Sequence, residues 1–112
     1  MFGNEKNQFE QLVKKNKWEK IQGKLERANV QTKLDIASAC SLSSEDESMN
    51  ILIRLLTDSD ESVQMQAIKS LGISGRPSAK THLHWLSERL PEDKDALKQA
   101  IRESMAAITK RQ

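Results

Sequence analysis

Asp60-Glu61-Ser62-Val63-Gln64-Met65-Gln66-Ala67-Ile68-Lys69-Ser70-Leu71-Gly72 is the stretch that decides the fold class. Val63, Ala67, Ile68 and Leu71 stand at offsets 0, 4, 5 and 8, which is one apolar stripe at helical period. Asp60 or Ser59 suits the N-cap, where a side-chain oxygen accepts a backbone N–H bond, and Glu61 suits the positive end of the helix dipole. Gly72 and Gly75 are expected to stop the helix in left-handed conformations. Just upstream, Ser44 and Glu47 fit a capping box ahead of Ser48-Met49-Asn50-Ile51-Leu52-Ile53-Arg54-Leu55-Leu56. That second helix is apolar nearly all round apart from Asn50 and Arg54, so it is expected to be central in the molecule.

The pair reads as helix, short turn 57–60, helix, and the pattern recurs. Thr32, Ile36, Ala37 and Cys40 repeat the offsets at a shift of 31 residues, preceded by Trp18, Ile21 and Leu25. Ala96, Ala100, Ile101 and Ser104 repeat them at a shift of 33, with Met105 and Ile108 extending the stripe. The helix before those carries Ala79, Leu83, Leu86 and Leu90, with Pro77 in its first turn. Phe9, Leu12 and Val13 define a short N-terminal helix. The expectation is seven helices, near 5–15, 17–27, 30–41, 45–57, 60–72, 77–90 and 93–110. They form an all-α superhelix of about three hairpins (17–41, 45–72 and 77–110) after the N-terminal helix, in one domain over residues 1–112.

Composition agrees with this reading. Aromatics are 4% with no Tyr, which argues against a sandwich or barrel, and the abundant residues are mostly good helix formers. One cysteine, Cys40, offers neither an intrachain disulfide nor a metal cluster and suits a reducing cytoplasm. Neither a signal peptide nor a membrane span is expected. The charge comes in bands of +4 over residues 1–33, −6 over 34–62 and +4 over 63–112. Such banding argues against nucleic acid, whose binders cluster basic charge on one face.

Residues 52–75, Leu-Ile-Arg-Leu-Leu-Thr-Asp-Ser-Asp-Glu-Ser-Val-Gln-Met-Gln-Ala-Ile-Lys-Ser-Leu-Gly-Ile-Ser-Gly, resemble the short HEAT-like repeat named after the phycobilisome lyases. Asp58 and Asp60, Val63, Ala67, Leu71 and Gly72 match that repeat, while Gln64 stands where the family usually has Arg. The resemblance implies a right-handed stack of hairpins, with second helices lining a concave face, and modules that mostly bind proteins. It does not imply lyase activity. The family's iron-binding hydroxylases use His-Glu pairs, which this chain lacks, and no site like that of its DNA glycosylases is found.

Candidate chemistry is sparse. His82 and His84 point about 200° apart on a helix, so they cannot share a metal, and surface or packing roles are expected. Cys40 aligns with Leu71 and reads as a small core hydrophobe rather than a nucleophile. Lys17, Lys20 and Lys24 share a face, but Glu19 and Glu26 dilute it to a solvated surface. Trp85 has two readings: it closes the edge of the last hairpin, which is preferred because Trp is so often buried, or it is a partly exposed anchor beside His82 and Arg89.

The expected function is a cytoplasmic, non-catalytic protein-interaction scaffold with no cofactor and no metal. Its expected binding surface is the concave face, carrying Lys33, Gln64, Lys69, Lys98 and Arg102, with Trp85 as a further candidate contact. The alternatives are a nucleic-acid or phosphate-binding helical repeat, and an accessory subunit of a lyase-type enzyme. The latter is disfavoured because three hairpins offer no deep apolar pocket.

Overall fold

A computed structural model describes residues 5–112; residues 1–4 of the expected domain lie outside it. It has seven α-helices: α1 (Glu5–Lys14), α2 (Trp18–Leu25), α3 (Val30–Ala39), α4 (Asp46–Leu55), α5 (Glu61–Ser74), α6 (Ala79–Arg89) and α7 (Asp95–Arg111). A 3-10 turn, Cys40–Leu42, extends α3, and no strand occurs among the described residues. None of these helices is long and apolar enough to cross a membrane.

The helices form two layers. The second helices of the three hairpins pack side by side in the order α3, α5, α7, and α1 joins this row against α3. The first helices α2, α4 and α6 form the other layer and touch one another far less. A thickness of 21 Å against a length of 40 Å fits two layers, since helices pack with axes about 8–10 Å apart.

Small residues explain why the second-helix row is tight. The Ser70 hydroxyl donates to the Ala37 carbonyl at 2.7 Å, and the Ser104 hydroxyl donates to the Ile68 carbonyl at 2.8 Å. Ser74 reaches the Cys40 carbonyl at 3.2 Å, and the Ser48 hydroxyl donates to that same carbonyl at 2.9 Å. A side-chain hydroxyl can bond a neighbouring helix's backbone only where the backbones come close.

The centre of the molecule is α5, not α4 as the apolar girth of residues 48–56 suggests. Helix α5 packs on α3, α4 and α7 and buries Val63, Ala67, Ile68, Ser70, Leu71, Gly72 and Ser74. Its Ala, Ser and Gly positions admit neighbours on three sides, which Leu and Ile on α4 do not. Helix α4 still buries Met49, Ile51, Leu52 and Leu55, but Asn50 and Arg54 face solvent and Ile53 is only half-buried.

Several local expectations change. Gly72 does not stop α5: it lies inside the helix, where a Cβ would come 2.6 Å from Ser104 Oγ. Gly75 ends the helix in an extended conformation (φ −68°, ψ 144°), not a left-handed one. Its N–H donates to the Leu71 carbonyl at 2.7 Å, and Arg111 of α7 donates to the Gly72 and Gly75 carbonyls. The capping box at Ser44 is absent, because that hydroxyl donates instead to the Ser74 carbonyl at 2.7 Å, and Glu45 takes the N-cap position without a side-chain bond. Asp60 does cap α5, accepting from the Ser62 N–H at 2.8 Å. Pro77 precedes α6 in a turn rather than lying in its first helical turn. On α7 the buried stripe begins at Leu97, and Ala96 is exposed.

Candidate functional site

The looser first-helix layer leaves an open groove between α4 and α6, of about 520 Å³. From α4 and the residues after it come Ile53, Arg54, Leu56 and Thr57; from α6 come Thr81, His82 and Trp85. Leu56 is buried beneath and Ile53 half-buried, giving an apolar floor. Trp85 forms a wall and is 44% exposed. The Arg89 guanidinium lies over its ring, 4.2 Å from the centroid. That stacking fixes the indole and leaves the guanidinium N–H edge available.

Helical spacing explains this wall. Ala79, Leu83 and Leu86 point into the core, so His82, Trp85 and Arg89 fall on the flank of α6 that turns toward α4. Trp85 is thus placed as an exposed wall and does not close the edge of the last hairpin. Trp18, by contrast, is a core residue at 8% exposure.

The other expected site residues lie on the second-helix layer, apart from Trp85. Lys33 Nζ donates to Asp58 Oδ1 at 2.7 Å, tying the first hairpin to the turn of the second. Asp58 Oδ2 in turn accepts from the Asp60 N–H at 3.0 Å. Gln64 Nε2 donates to the Leu56 carbonyl at 2.8 Å, satisfying the end of α4. Both side chains are half-buried and engaged within the chain. Lys69 and Arg102 are exposed, Arg102 donating to Gln99 at 2.6 Å, and Lys98 is half-buried. The second-helix layer thus presents scattered polar side chains, three of its candidates already bonded, and the structure does not gather the six into one site.

Sequence reasoning missed Arg54, Ile53, Leu56 and Thr81 as residues lining a groove. Ile53 and Leu56 read as core because nothing in a single helix tells how far its neighbour stands off. The available signal was Arg54 breaking an otherwise apolar helix, together with the His82, Trp85, Arg89 face.

Elsewhere the chemistry is quiet. Burial pushes the Cys40 thiol up to about 11, with a hydrogen bond from Ser48 acting the other way, so it is protonated near neutrality and enclosed. No cluster of three or more His, Cys, Asp or Glu side chains suited to a metal occurs among the described residues. His82 and His84 are both exposed, and His84 Nε2 sits 3.6 Å from Glu88. Lys17 and Lys20 border a shallow depression shared with Glu19 and Glu47, so the basic face of α2 is interrupted by carboxylates.

No curated protein and no solved structure matches the chain. A family model describing HEAT repeats matches residues 21–106, the three hairpins from Ile21 in α2 to Ala106 in α7. That match is to HEAT repeats at large, broader than the phycobilisome-lyase type of repeat. With the two-layered stack of hairpins, it shows that the chain belongs to the HEAT repeat family.

Proposed function

We propose that this chain is a non-catalytic, cytoplasmic protein-interaction module of one domain, and that it engages its partner through the groove between α4 and α6. The observation that carries the reading is Trp85: a large aromatic held exposed by a stacked Arg89 over an apolar floor. Trp and Arg are enriched among the few residues that carry most of the binding energy in protein interfaces. HEAT repeats commonly serve as interaction scaffolds, which supports the same class. The surface of second helices expected from the sequence loses Lys33 and Gln64 to internal bonds and is the weaker candidate.

A photo-cross-linking residue placed at Thr81 in the groove, and separately at Lys98 or Arg102, tests this in cells expressing the full chain. The expected result is a protein adduct from the Thr81 position that disappears when Trp85 is also replaced by Ala. Adducts only from Lys98 or Arg102 would move the site to the second-helix layer. Nucleic-acid adducts in place of protein would overturn the function class.

A further inference from the structure

The charge around the groove identifies the chemistry of its occupant, an inference that rests on the groove being the binding site. Arg54 and His82 line the groove and Arg89 stacks on its wall, while no carboxylate lines it. The acidic residues closest to these arginines along the chain lie against other partners. Asp58, one turn after Arg54, is held by Lys33 Nζ at 2.7 Å and by the Asp60 N–H. Glu88, next to Arg89, faces His84 on another side of α6. Among the described residues the ion pairs are Lys33–Asp58, Arg76–Asp46 and Lys94–Glu61, with His84 beside Glu88, and neither Arg54 nor Arg89 takes part in one. Among the described residues neither guanidinium makes a hydrogen bond either, although the protein carries 16 carboxylate side chains.

Two unpaired guanidinium groups flanking an apolar floor are complementary to an anion next to an apolar group. We propose that the groove takes a short acidic segment of a partner protein. One apolar side chain seats against Ile53, Leu56 and Trp85, and carboxylates on either side of it meet Arg54 and Arg89. A long polyanion fits less well. Asp46 and Glu47 project from the other end of α4, and residues 34–62 carry a net −6, so nucleic acid following α4 would meet repulsion within a few residues.

The test uses the full chain and a displayed library of random peptides of about twelve residues, the length that anchors spaced over a groove require. Selection runs in parallel on the parent and on Trp85→Ala. The expected outcome is Trp85-dependent enrichment of peptides carrying Asp or Glu around one large apolar residue. A synthetic peptide of the enriched sequence should bind at least about tenfold more weakly to Trp85→Ala, and likewise to Arg54→Glu/Arg89→Glu. Raising salt from ~50 to ~300 mM should weaken it, because exposed ion pairs are screened over that range. A version with Lys in place of its acidic residues should bind the charge-reversed variant and not the parent.

Enrichment of neutral or basic peptides that still needs Trp85 would overturn the acidic assignment and leave the groove as the site. Enrichment indifferent to Trp85, or none at all, would overturn both. Tighter Trp85-dependent binding of single-stranded DNA, or a Trp85-dependent dimer of the chain in sedimentation, would replace the acidic segment with another occupant. Circular dichroism of each variant should match the parent, since the three replaced side chains are exposed.

Discussion

Replacing Gly72 with Ala places a methyl group at the closest approach of α5 and α7. The added Cβ would stand 2.6 Å from Ser104 Oγ, 3.0 Å from its Cβ and 3.2 Å from its Cα. The hydroxyl cannot swing aside freely, because it is buried and donates to the Ile68 carbonyl at 2.8 Å. In an open helix the same change would stabilise by about 1 kcal/mol, the propensity difference between Ala and Gly. Against that stand overpacking, about 1–3 kcal/mol, and the displaced buried hydroxyl, about 1 kcal/mol. The expected net is a destabilisation of about 1–3 kcal/mol, or a fall in Tm of roughly 4 °C for each kcal/mol in a domain of this size. Urea unfolding followed at 222 nm by circular dichroism measures it, with Ser104→Gly and the double variant completing the cycle. Removing Oγ and Cβ makes room for the methyl, so the double variant should be more stable than the sum of the singles predicts, by about 1–3 kcal/mol. A Gly72→Ala protein that gains stability, or a cycle that adds without coupling, would show that the two backbones are not in contact there.

Leu71→Asp should leave the chain unfolded at room temperature by circular dichroism, because it places a carboxylate at a fully buried position in the apolar core. Cys40 should resist alkylation in the native state and react in urea; with the thiol raised from 9.0 to about 11, its contribution to stability is complete below pH 9 and falls away as pH rises toward 11, which a Cys40→Ser control should not show. Asp60 is held below its ordinary 3.8 by hydrogen bonds from the Ser62 hydroxyl and backbone, so its cap is in force above that pH and is lost as pH drops through the lowered value; Asp60→Asn should flatten that part of the acid-unfolding curve. Acrylamide should quench the fluorescence of Trp85 and spare Trp18, so Trp85→Phe should abolish most of the quenching.

The periodic features of the chain were legible because each is a local property of one helix. Val63, Ala67, Ile68 and Leu71 all proved fully buried, as did Cys40, Ile36 and Ala37 in the preceding repeat. What remained hidden depended on distances between helices. Gly72 looks like a terminator in isolation and becomes an interior contact only once α7 lies across it. Ser44 looks like a cap and is drawn off by the Ser74 carbonyl thirty residues later. Lys33 and Gln64 look like free polar side chains on a surface, yet one finds Asp58 and the other the Leu56 carbonyl. The groove was hidden for the same reason: Ile53 and Leu56 are indistinguishable from core residues until α6 is seen to stand off from α4.

The hydroxyl-to-carbonyl links between α3, α5 and α7 have a mechanical consequence. They act as a stiff spine along one edge of the stack, while α2, α4 and α6 resemble the outer ribs of a folding fan, joined to one another only loosely. Any flexing of the stack about that spine therefore changes the gap between α4 and α6 more than it changes anything in the second-helix row. The aperture beside Trp85 is a readout of how far the fan is spread, and a guest wedged there would in turn hold the ribs at one angle.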